Sequence, residues 1–384
     1  MAPPSLPGRA SPAQWRPPVD PEKPPCPYQP GLKLELRSHT APKPFGHNLY
    51  GPSLRVQVPD ADLRQVTQTR LVVAHPPIEA AAATSSAISQ SARLTITGNI
   101  AVADARGAQV VACSVELPAA KTPGAKTTTF TAVAKIYDAL YYSFANRNHP
   151  AFPVDPTWEA DMDYSREVAA FEHMKNLKTS GQLGGFAPCY YGSWTLSLPI
   201  RHNGKVVTRP VRLILMEKLT GASIWSLYRT SKSTPNEEPN AHHIKEEWRL
   251  EVLARLLEGE VRQHHAGVDQ KDLAARNVYL VPPQGQTALN PVGPAPRVVL
   301  IDYNTSIVWE KTRIGVLADQ YPKAKLPPNP MWKYWHESLP EFYGWCPKEW
   351  RAKPKLRQQW LAKRFGGKNA AQFAPIEEKL SFAE

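Results

Sequence analysis

Three polar residues in the second half of this 384-residue chain have the types and spacing that phosphoryl transfer requires. Asp272 and Asn277 lie five residues apart in the segment DQKDLAARN, between a predicted long helix and a predicted strand. A carboxylate and an amide with this spacing can reach a substrate hydroxyl and a metal ion from one loop. Alone, the pattern D-x-x-x-x-N is weak, because about one chance match is expected in a chain of this length.

A third residue, Asp302, strengthens the interpretation because it ends the strand-like run VVLID. If the strand after Asn277 and this run form a hairpin, Asp302 emerges beside the first loop. Phosphoryl transfer needs bound metal, positioned phosphates and an in-line nucleophile more than covalent help from the protein. We predict Asp272 as the base that accepts the acceptor's proton, and Asn277 and Asp302 as metal ligands. Their oxygen atoms suit Mg²⁺, which accepts few protein ligands and keeps several waters.

The strands that position these residues are visible as β-branched and aromatic runs. Such runs lie at 94–97, 110–117 and 130–137, with Gly and Pro between them, which predicts an antiparallel meander. A further apolar strand, VRLILM, is predicted at 211–216. The hairpin described above is predicted from NVYLV and RVVLID.

Two helices are predicted from apolar residues that recur at spacings of three and four. The first covers about 163–177. The second is about twenty residues long, carries an apolar stripe that includes Ile244 and Val261, and ends before Gly267. Glu167 falls on the apolar face of the first helix. A buried carboxylate is costly unless a cation pairs with it, so Glu167 requires a partner such as Lys135.

At these residues the sequence resembles the protein-kinase superfamily. QKDLAARN corresponds to the catalytic loop H-R-D-L-x-x-x-N, DYN to D-F-G, and AVAKIY to the V-A-I-K strand. The resemblance implies that Lys135 contacts the ATP phosphates and that Glu167 is its ion-pair partner. It also implies that LILMEKLTG holds the adenine, with Met216 as gatekeeper and the backbone of Glu217 and Leu219 facing the purine.

The resemblance covers about residues 93 to 310, and the C-terminal part is similar to divergent kinase-like proteins of filamentous fungi. It implies an α+β, bilobal protein-kinase-like fold, with an antiparallel β-sheet N-lobe containing one main helix and a mostly helical C-lobe. The implied division is a disordered Pro-rich tail at 1–31, a weakly structured N-terminal extension at 32–92, an N-lobe and hinge at 93–220, and a C-lobe with a basic Trp-rich C-terminal part at 221–384.

The implied function is ATP-dependent phosphotransfer of the protein-kinase type, with ATP and Mg²⁺ or Mn²⁺ as cofactors and a protein hydroxyl as acceptor. Two alternatives stay open. A small-molecule kinase of the aminoglycoside or choline type also places an aromatic residue after its metal-binding Asp, as in LIDYN. A catalytically silent kinase-like module is favoured by the departures from the family's motifs.

These departures lie in three motifs. Gly98 and Gly107 are the only glycines where a Gly-rich loop is expected, and Gln270 and Lys271 replace the His and Arg before the catalytic Asp. Asn304 replaces the Gly of D-F-G, and we expect it to preserve a turn there because Asn tolerates left-handed backbone.

Composition limits the partners and the compartment. The net charge is +12, and residues 311 to 384 carry 14 Lys and Arg against 7 Asp and Glu. Such a surface attracts anions of any kind. Five of the 11 tryptophans lie close together in this segment, and tryptophans with this spacing typically pack in a core, so nucleic acid is not an expected partner. The cysteines lack zinc-site spacing, and no apolar run approaches the ~20 residues that span a bilayer. We expect an intracellular protein, cytoplasmic or nuclear, without a membrane span.

Overall fold

The computed structural model describes residues 15–53, 55–80, 90–118, 127–146, 148–178, 185–230, 238–315 and 325–383. The strands within these ranges are β1 Lys33–Ser38, β2 Ser91–Ala101, β3 Gln109–Leu117, β4 Thr128–Tyr137, β5 Tyr190–His202, β6 Lys205–Glu217, β7 Ala222–Ser223, β8 Val268–Asp269, β9 Val278–Val281, β10 Arg297–Leu300 and β11 Ile307–Val308. The α-helices are α1 Asp60–Leu63, α2 Gln68–Ala74, α3 Pro156–Lys178, α4 Glu246–His265, α5 Pro330–Tyr334, α6 Glu349–Ala352 and α7 Pro354–Phe365. Short 3₁₀ turns lie at Ala139–Tyr141, Trp225–Leu227, Ala275–Asn277, Trp309–Lys311, Pro340–Phe342 and Gly367–Gln372.

The chain forms two compact units. The first comprises Met1–Pro42, Ser53–Tyr164 and Ser193–Leu215, and the second comprises Lys43–Pro52, Ser165–Gly192 and Met216–Glu384. The division into tail, extension and lobes that the sequence implies stays a prediction. The first 14 residues of the predicted tail lie outside the described residues.

Six strands close into an antiparallel β-barrel in the order β1-β2-β3-β4-β6-β5. The predicted meander of β2, β3 and β4 is confirmed, with Cys113 opposite Ile96 on one side and Ala132 on the other. Side chains that alternate along the strands fill the interior. They include Leu34, Leu36, Leu94, Ile96, Val111, Val115, Leu196 and Leu213.

The predicted bilobal protein-kinase-like fold, with a sheet-based N-lobe and a mostly helical C-lobe, is wrong. β1 pairs with β2 on one side and with β5 on the other, at Leu36–Ala92 and Arg37–Thr195, and this pairing belongs to a closed barrel. Only four of the seven α-helices in the described ranges have seven residues or more. Prolines divide the C-terminal part, because a proline inside a helix removes a hydrogen bond and clashes with the preceding turn. Pro340 and Pro354 accordingly stand at the starts of separate elements.

The segment before β1 is attached to the barrel by a buried charge cluster. Tyr28 is buried, although it lies in the predicted tail, and its hydroxyl donates to Asp138 at 2.6 Å. Arg209 donates to both oxygens of the same carboxylate at 2.5 and 2.8 Å. Because a buried carboxylate needs partners of this kind, Asp138 fixes Tyr28 against the end of β4.

The two predicted helices are confirmed. α3 begins at Pro156, earlier than predicted, because Asp155 accepts from the backbone N–H groups of Thr157 and Trp158 at 2.9 and 3.1 Å and so caps the helix. α4 begins at Glu246, after Ile244, and buries the other residues of the predicted apolar stripe on one face. Its first turn carries Glu246 and Glu247 and its last turn is basic, which complements the helix dipole.

In the second unit, the predicted hairpin is confirmed as β9 and β10, which pair in antiparallel register with Val278 opposite Leu300. β7 pairs with the other edge of β9, giving a three-stranded sheet in the order β10-β9-β7. β8 and β11 form a separate two-stranded sheet. These short strands carry the candidate site at their ends.

Most of the C-terminal tryptophans pack in the second unit, as predicted. Trp335, Trp345 and Trp350 are buried, whereas Trp332 is 45% exposed. The Trp345 indole donates to the carbonyl of Arg249 in α4 at 2.9 Å, which ties the C-terminal segment to that helix. None of the helices in the described ranges has the length and apolar character needed to cross a membrane.

Candidate functional site

Asp272 and Asn277 are joined by direct hydrogen bonds across the 3₁₀ turn that precedes β9. Nδ2 of Asn277 donates to the Asp272 carboxylate at 2.8 Å and to its carbonyl at 2.9 Å. Asn277 is buried, but the Asp272 side chain is 32% exposed. Both hydrogen bonds use the amide nitrogen, so Oδ1 is directed away from Asp272 and is the amide atom that can bind a metal ion.

Arg276 covers the same carboxylate from the solvent side. Its Nη2 donates to both oxygens of Asp272, at 2.6 and 2.9 Å, and Nη1 lies 3.7 Å from Glu341. The Arg276 side chain is 57% exposed. An exposed pair of this kind contributes little free energy, so Arg276 can leave the carboxylate at small cost.

Gln270 connects the Asp272 loop to the Asp302 loop. Its Oε1 accepts from the backbone N–H of Asp272 at 2.8 Å, and its Nε2 donates to the carbonyls of Ile301 and Asp302 at 3.0 and 2.7 Å. The side chain is buried. Since the amide uses both hydrogens and its oxygen, it fixes both loops at once. The backbone N–H of Ile301 also donates to the carbonyl of Asn277, at 2.9 Å.

The backbone is strained on both sides of this connection. Lys271 and Asp302 have φ of 67° and 64°, and they are two of five non-glycine residues with positive φ among those described. Such residues persist where surrounding contacts hold them, and they concentrate at functional sites. A turn is present at Asn304, as expected, but the left-handed residue of this segment is Asp302.

Tyr303 anchors the loop after β10. Its ring is fully buried and lies 5.3 Å from that of Phe171, and its hydroxyl accepts from Gln263 at 2.8 Å. Its backbone N–H donates to Glu167 at 3.3 Å. Glu167 is 1% exposed, as its place on the apolar face of α3 predicts. The middle residue of DYN is therefore a packing anchor between α3 and α4.

Behind Gln270, Asp269 holds β8 in place. Its carboxylate pairs with the imidazole of His264 and accepts from the Trp309 indole at 3.2 Å. Burial raises the pKa of Asp269, but the hydrogen bond and charge of His264, together with Lys333 and Lys271, outweigh it and leave the pKa below its usual value. Asp269 therefore stays ionised and keeps the preceding helix end attached to the loop.

The predicted adenine segment lies at the end of β6. Both oxygens of Glu217 accept from Arg297, at 2.9 and 2.7 Å, and one also accepts from the backbone N–H of Cys189 at 3.0 Å. Burial raises the pKa of Glu217, but these hydrogen bonds outweigh it and lower the pKa overall. Met216 is buried and Leu219 is half-buried. Because Arg297 begins β10, Glu217 is tied to the strand that leads to Asp302.

Gly221 fixes the same segment against β9. Its φ is 142°, and a Cβ there would stand 2.0 Å from the Leu280 carbonyl oxygen. Its own carbonyl accepts from the Tyr279 hydroxyl at 3.1 Å. Only glycine allows this approach, so the segment after Leu219 is held on the strand that follows Asn277.

Lys135 belongs to the first unit, whereas the other predicted site residues belong to the second. It is buried in β4, and its ammonium lies 5.9 Å from the ring centroid of Tyr137. The ion pair between Lys135 and Glu167 stays a prediction, as do the assigned roles of all the site residues.

The turn between β2 and β3, where the sequence lacks a Gly-rich loop, is closed by a side chain. Gln109 is fully buried, donates to the carbonyls of Ala103 and Gly107 at 2.9 Å each, and accepts from the Ala103 N–H at 2.9 Å. An amide thus organises this turn, and Gly107 supplies positive φ at its tip.

A magnesium site at Asn277 and Asp302 fits the chemistry of the donors. In the described part of the chain, no group of three or more His, Cys, Asp and Glu side chains is placed to hold a metal ion. Asn277 and Asp302 would form a site of a different kind, with one amide oxygen and one carboxylate. Mg²⁺ suits such a site because it takes its remaining ligands from water and phosphates.

Sequence reasoning did not identify the roles of Gln270, Tyr303, Arg297 and Gln109. Gln270 appears in the sequence only as a departure from a motif, and its hydrogen bonds join residues 30 positions apart. The one feature of the sequence that could have indicated this role is the position of Gln270 two residues before Asp272. For Arg297 and Gln109 the sequence gives no comparable signal.

Comparisons with known proteins do not show a family. No family model matches the chain, and no curated protein matches it. Among solved structures, the kinase domain of BubR1 is similar over 61% of this chain and 51% of that chain, with 14% identity and a TM-score of 0.32. The similarity thus spans about half of that domain, and at this TM-score it carries no argument about fold or function.

Proposed function

We propose that this chain is an ATP-dependent phosphotransferase of the protein-kinase type, with Asp272 as base and a protein hydroxyl as acceptor. The observation that supports it is the hydrogen-bonded group of Asp272, Asn277, Gln270 and Asp302. A solvent-accessible carboxylate, a buried amide with its oxygen directed away, and a second acid on a fixed loop are the parts that phosphoryl transfer needs.

Each residue of this group has a distinct role in the proposal. Asp272 orients the acceptor hydroxyl and accepts its proton, and Asn277 holds Asp272 through Nδ2. Asn277 Oδ1 and the Asp302 carboxylate bind Mg²⁺. Gln270 positions the two loops relative to each other and does not touch the reactants.

The cofactors are part of the proposal. ATP supplies the γ-phosphoryl group, and Mg²⁺ neutralises phosphate charge when it is bound. The backbone of Glu217 and Leu219 is assigned to the adenine, with Met216 behind it. The Glu217–Arg297 pair and Gly221 support this role because they fix the segment against the two strands that lead to Asn277 and Asp302.

A second candidate is a silent module that binds nucleotide without transferring phosphate. The specific observation in its favour is Arg276, which occupies both oxygens of the proposed base. The exposure of Arg276 argues for a side chain that moves when the acceptor arrives.

Phosphate transfer and nucleotide binding separate the candidates. The full chain is incubated with γ-labelled ATP and Mg²⁺ or Mn²⁺, with protein acceptors or with small alcohols and aminoglycosides. Nucleotide-dependent shifts in Tm are measured in parallel, for wild type and Asp302→Asn. Label in protein that depends on metal supports the proposal. A Tm shift without transfer to any acceptor, before and after Arg276→Ala, identifies the silent module, and label only in small molecules identifies the small-molecule kinase.

A further inference from the structure

The C-terminal segment carries a dense set of exposed cations. Between residues 342 and 376 the chain has eight Lys and Arg and one acid, Glu349. We name as the basic surface the exposed cations of the segment 351–368, which contains α7 and the end of α6. They are Arg351, Lys353, Lys355, Lys363 and Lys368.

The lysines of this surface lack counter-charges among the residues that the structure describes. In the described ranges, no carboxylate forms an ion pair with Lys353, Lys355, Lys363 or Lys368. Arg351 has one such neighbour, Glu238 at 3.8 Å, and both side chains are more than 60% exposed. Cations clustered without counter-charges repel one another and raise the local concentration of anions.

The basic surface is fixed rather than frayed. α7 buries Arg357, Gln358, Leu361 and Phe365, so its opposite face, with Lys355 and Lys363, is directed outwards. These two residues are eight apart, which is about 12 Å along a helix. Because α7 fixes the backbone of Lys355 and Lys363, binding at these residues costs less backbone entropy than binding to a flexible tail does.

A short series of contacts joins this surface to Asp272. Arg276 contacts Asp272 on one side and approaches Glu341 at 3.7 Å on the other. Two residues after Glu341, the ring of Tyr343 packs under the Arg351 guanidinium, whose central carbon is 4.9 Å from the ring centroid. Arg351 of the basic surface is thus connected to the proposed base through Tyr343, Glu341 and Arg276.

We propose that the basic surface docks an acidic segment of the acceptor protein. This inference rests on the proposed function for the identity of the bound protein as the acceptor. The carboxylates of the segment pair with the free lysines, and an acceptor hydroxyl next to the segment reaches Asp272. A carboxylate that displaces Glu341 from Arg276 would also loosen the Arg276 contact with Asp272.

The structure favours a protein over other polyanions. Single-stranded nucleic acid binds where aromatic rings are open for base stacking. At the basic surface Trp350 is buried, Trp360 is half-buried and the Tyr343 ring is covered by Arg351. A membrane-surface helix inserts a wide apolar face, whereas α7 buries Leu361 and Phe365 and exposes only part of Leu356, at 38%.

Direct binding tests the inference independently of catalysis. The probe is a fluorescent eleven-residue peptide with eight Glu, one Ser, one Thr and one Tyr, and its matched copy has Gln in place of each Glu. The variant is Lys353→Glu, Lys355→Glu and Lys363→Glu together. The control variant is Lys33→Glu, Arg201→Glu and Lys205→Glu, which makes the same charge change at exposed sites of the first unit.

We expect the Glu peptide, but not the Gln peptide, to bind at low salt, with Kd at least about tenfold higher in the first variant and less than about twofold higher in the control. Equal weakening in both variants, or no binding, would overturn the inference. Tighter binding of an oligonucleotide or of phosphatidylserine vesicles than of the Glu peptide would overturn it as well.

Transfer assays then separate this inference from the proposed function. Transfer to the Glu and Gln peptides with equal kcat/KM contradicts docking while the proposed function stands. Binding of the Glu peptide without transfer to any acceptor contradicts the proposed function and, with it, the assignment of the bound protein as acceptor.

Discussion

The side-chain amide of Gln270 donates from Nε2 to the backbone carbonyl of Asp302 at 2.7 Å, while its Oε1 accepts from the backbone N–H of Asp272 at 2.8 Å. One buried amide thus sets the separation of the proposed base and the proposed metal ligand. Gln270 stands where the motif that the sequence resembles has a histidine, and here it supplies a connection between the two loops.

Gln270→Leu should lower the free energy of unfolding by about 2 to 4 kcal/mol, because it leaves one N–H and two carbonyls without their partner in a buried place. Gln270→His retains a donor and should lose less. Urea denaturation followed by tryptophan fluorescence measures both. If Gln270→Leu lowers the free energy of unfolding by less than about 0.5 kcal/mol, the hydrogen bonds of Gln270 do not stabilise the protein.

Arg297→Ala should cost about 1 to 3 kcal/mol and reduce the ATP-dependent rise in Tm, because it removes a two-pronged hydrogen bond that holds the proposed adenine segment. The matched control is Arg93→Ala. Arg93 pairs with Glu35 at 2.9 Å on the surface of the first unit, where such exposed pairs contribute under about 1 kcal/mol. Equal losses in the two variants would contradict a special role for Arg297.

Gly259→Ala should destabilise the protein although alanine favours helices. A Cβ at Gly259 would lie 2.2 Å from the buried ring of Phe186, and overpacking of about 1 to 3 kcal/mol exceeds the gain of about 1 kcal/mol in helix propensity. Gly98→Ala is the control, since its Cβ would meet Ala112 at 3.9 Å, an ordinary contact. The Tm of both variants is measured by thermal unfolding. A Tm of Gly259→Ala above that of wild type would refute the packing argument.

His39 should make the first unit sensitive to acid. Burial, reinforced by the charge of Arg212, lowers the pKa of His39 to about 4, although the hydrogen bond with Glu79 opposes this. The unfolded chain therefore binds the proton more readily, and stability is lost as the pH falls from 6.5 to 4.

The comparison of wild type with His39→Asn isolates this effect. Asp161, whose pKa burial raises to about 6, is present in both proteins and cancels in the difference. The loss of stability between pH 6.5 and 4 should be smaller in the variant by about 2 to 3 kcal/mol. An NMR titration that places the His39 pKa near 6.5 would contradict this prediction.

Local patterns in the sequence predict most elements but not the architecture. The runs that form β2, β3 and β4 and the apolar stripe of α4 are correct, because each depends on residues close in sequence. Closure of the barrel depends on β1, whose pairing with β5 joins residues more than 150 positions apart. No local pattern encodes such a pairing, and this is why the predicted fold class is wrong.

The candidate site also combines features that depend on residues close in sequence with features that depend on distant ones. The hairpin of β9 and β10 and the burial of Glu167 follow from the sequence because strand and helix periodicity determine them. Three other features do not follow from the sequence: the connection through Gln270, the left-handed backbone of Asp302 and the hydrogen bonds of Arg297 to Glu217. They depend on which loops meet in space, which composition and spacing leave undetermined.

The rate of phosphate transfer from γ-labelled ATP in Asp272→Asn tests the central claim most directly. The matched control is Asp104→Asn, which makes the same change at a carboxylate that is 59% exposed in the first unit. We predict a fall of about 10² to 10⁴-fold in kcat for Asp272→Asn and no change for Asp104→Asn, with the ATP-dependent Tm shift retained in both. Transfer at the wild-type rate by Asp272→Asn would contradict the assignment of Asp272 as the base.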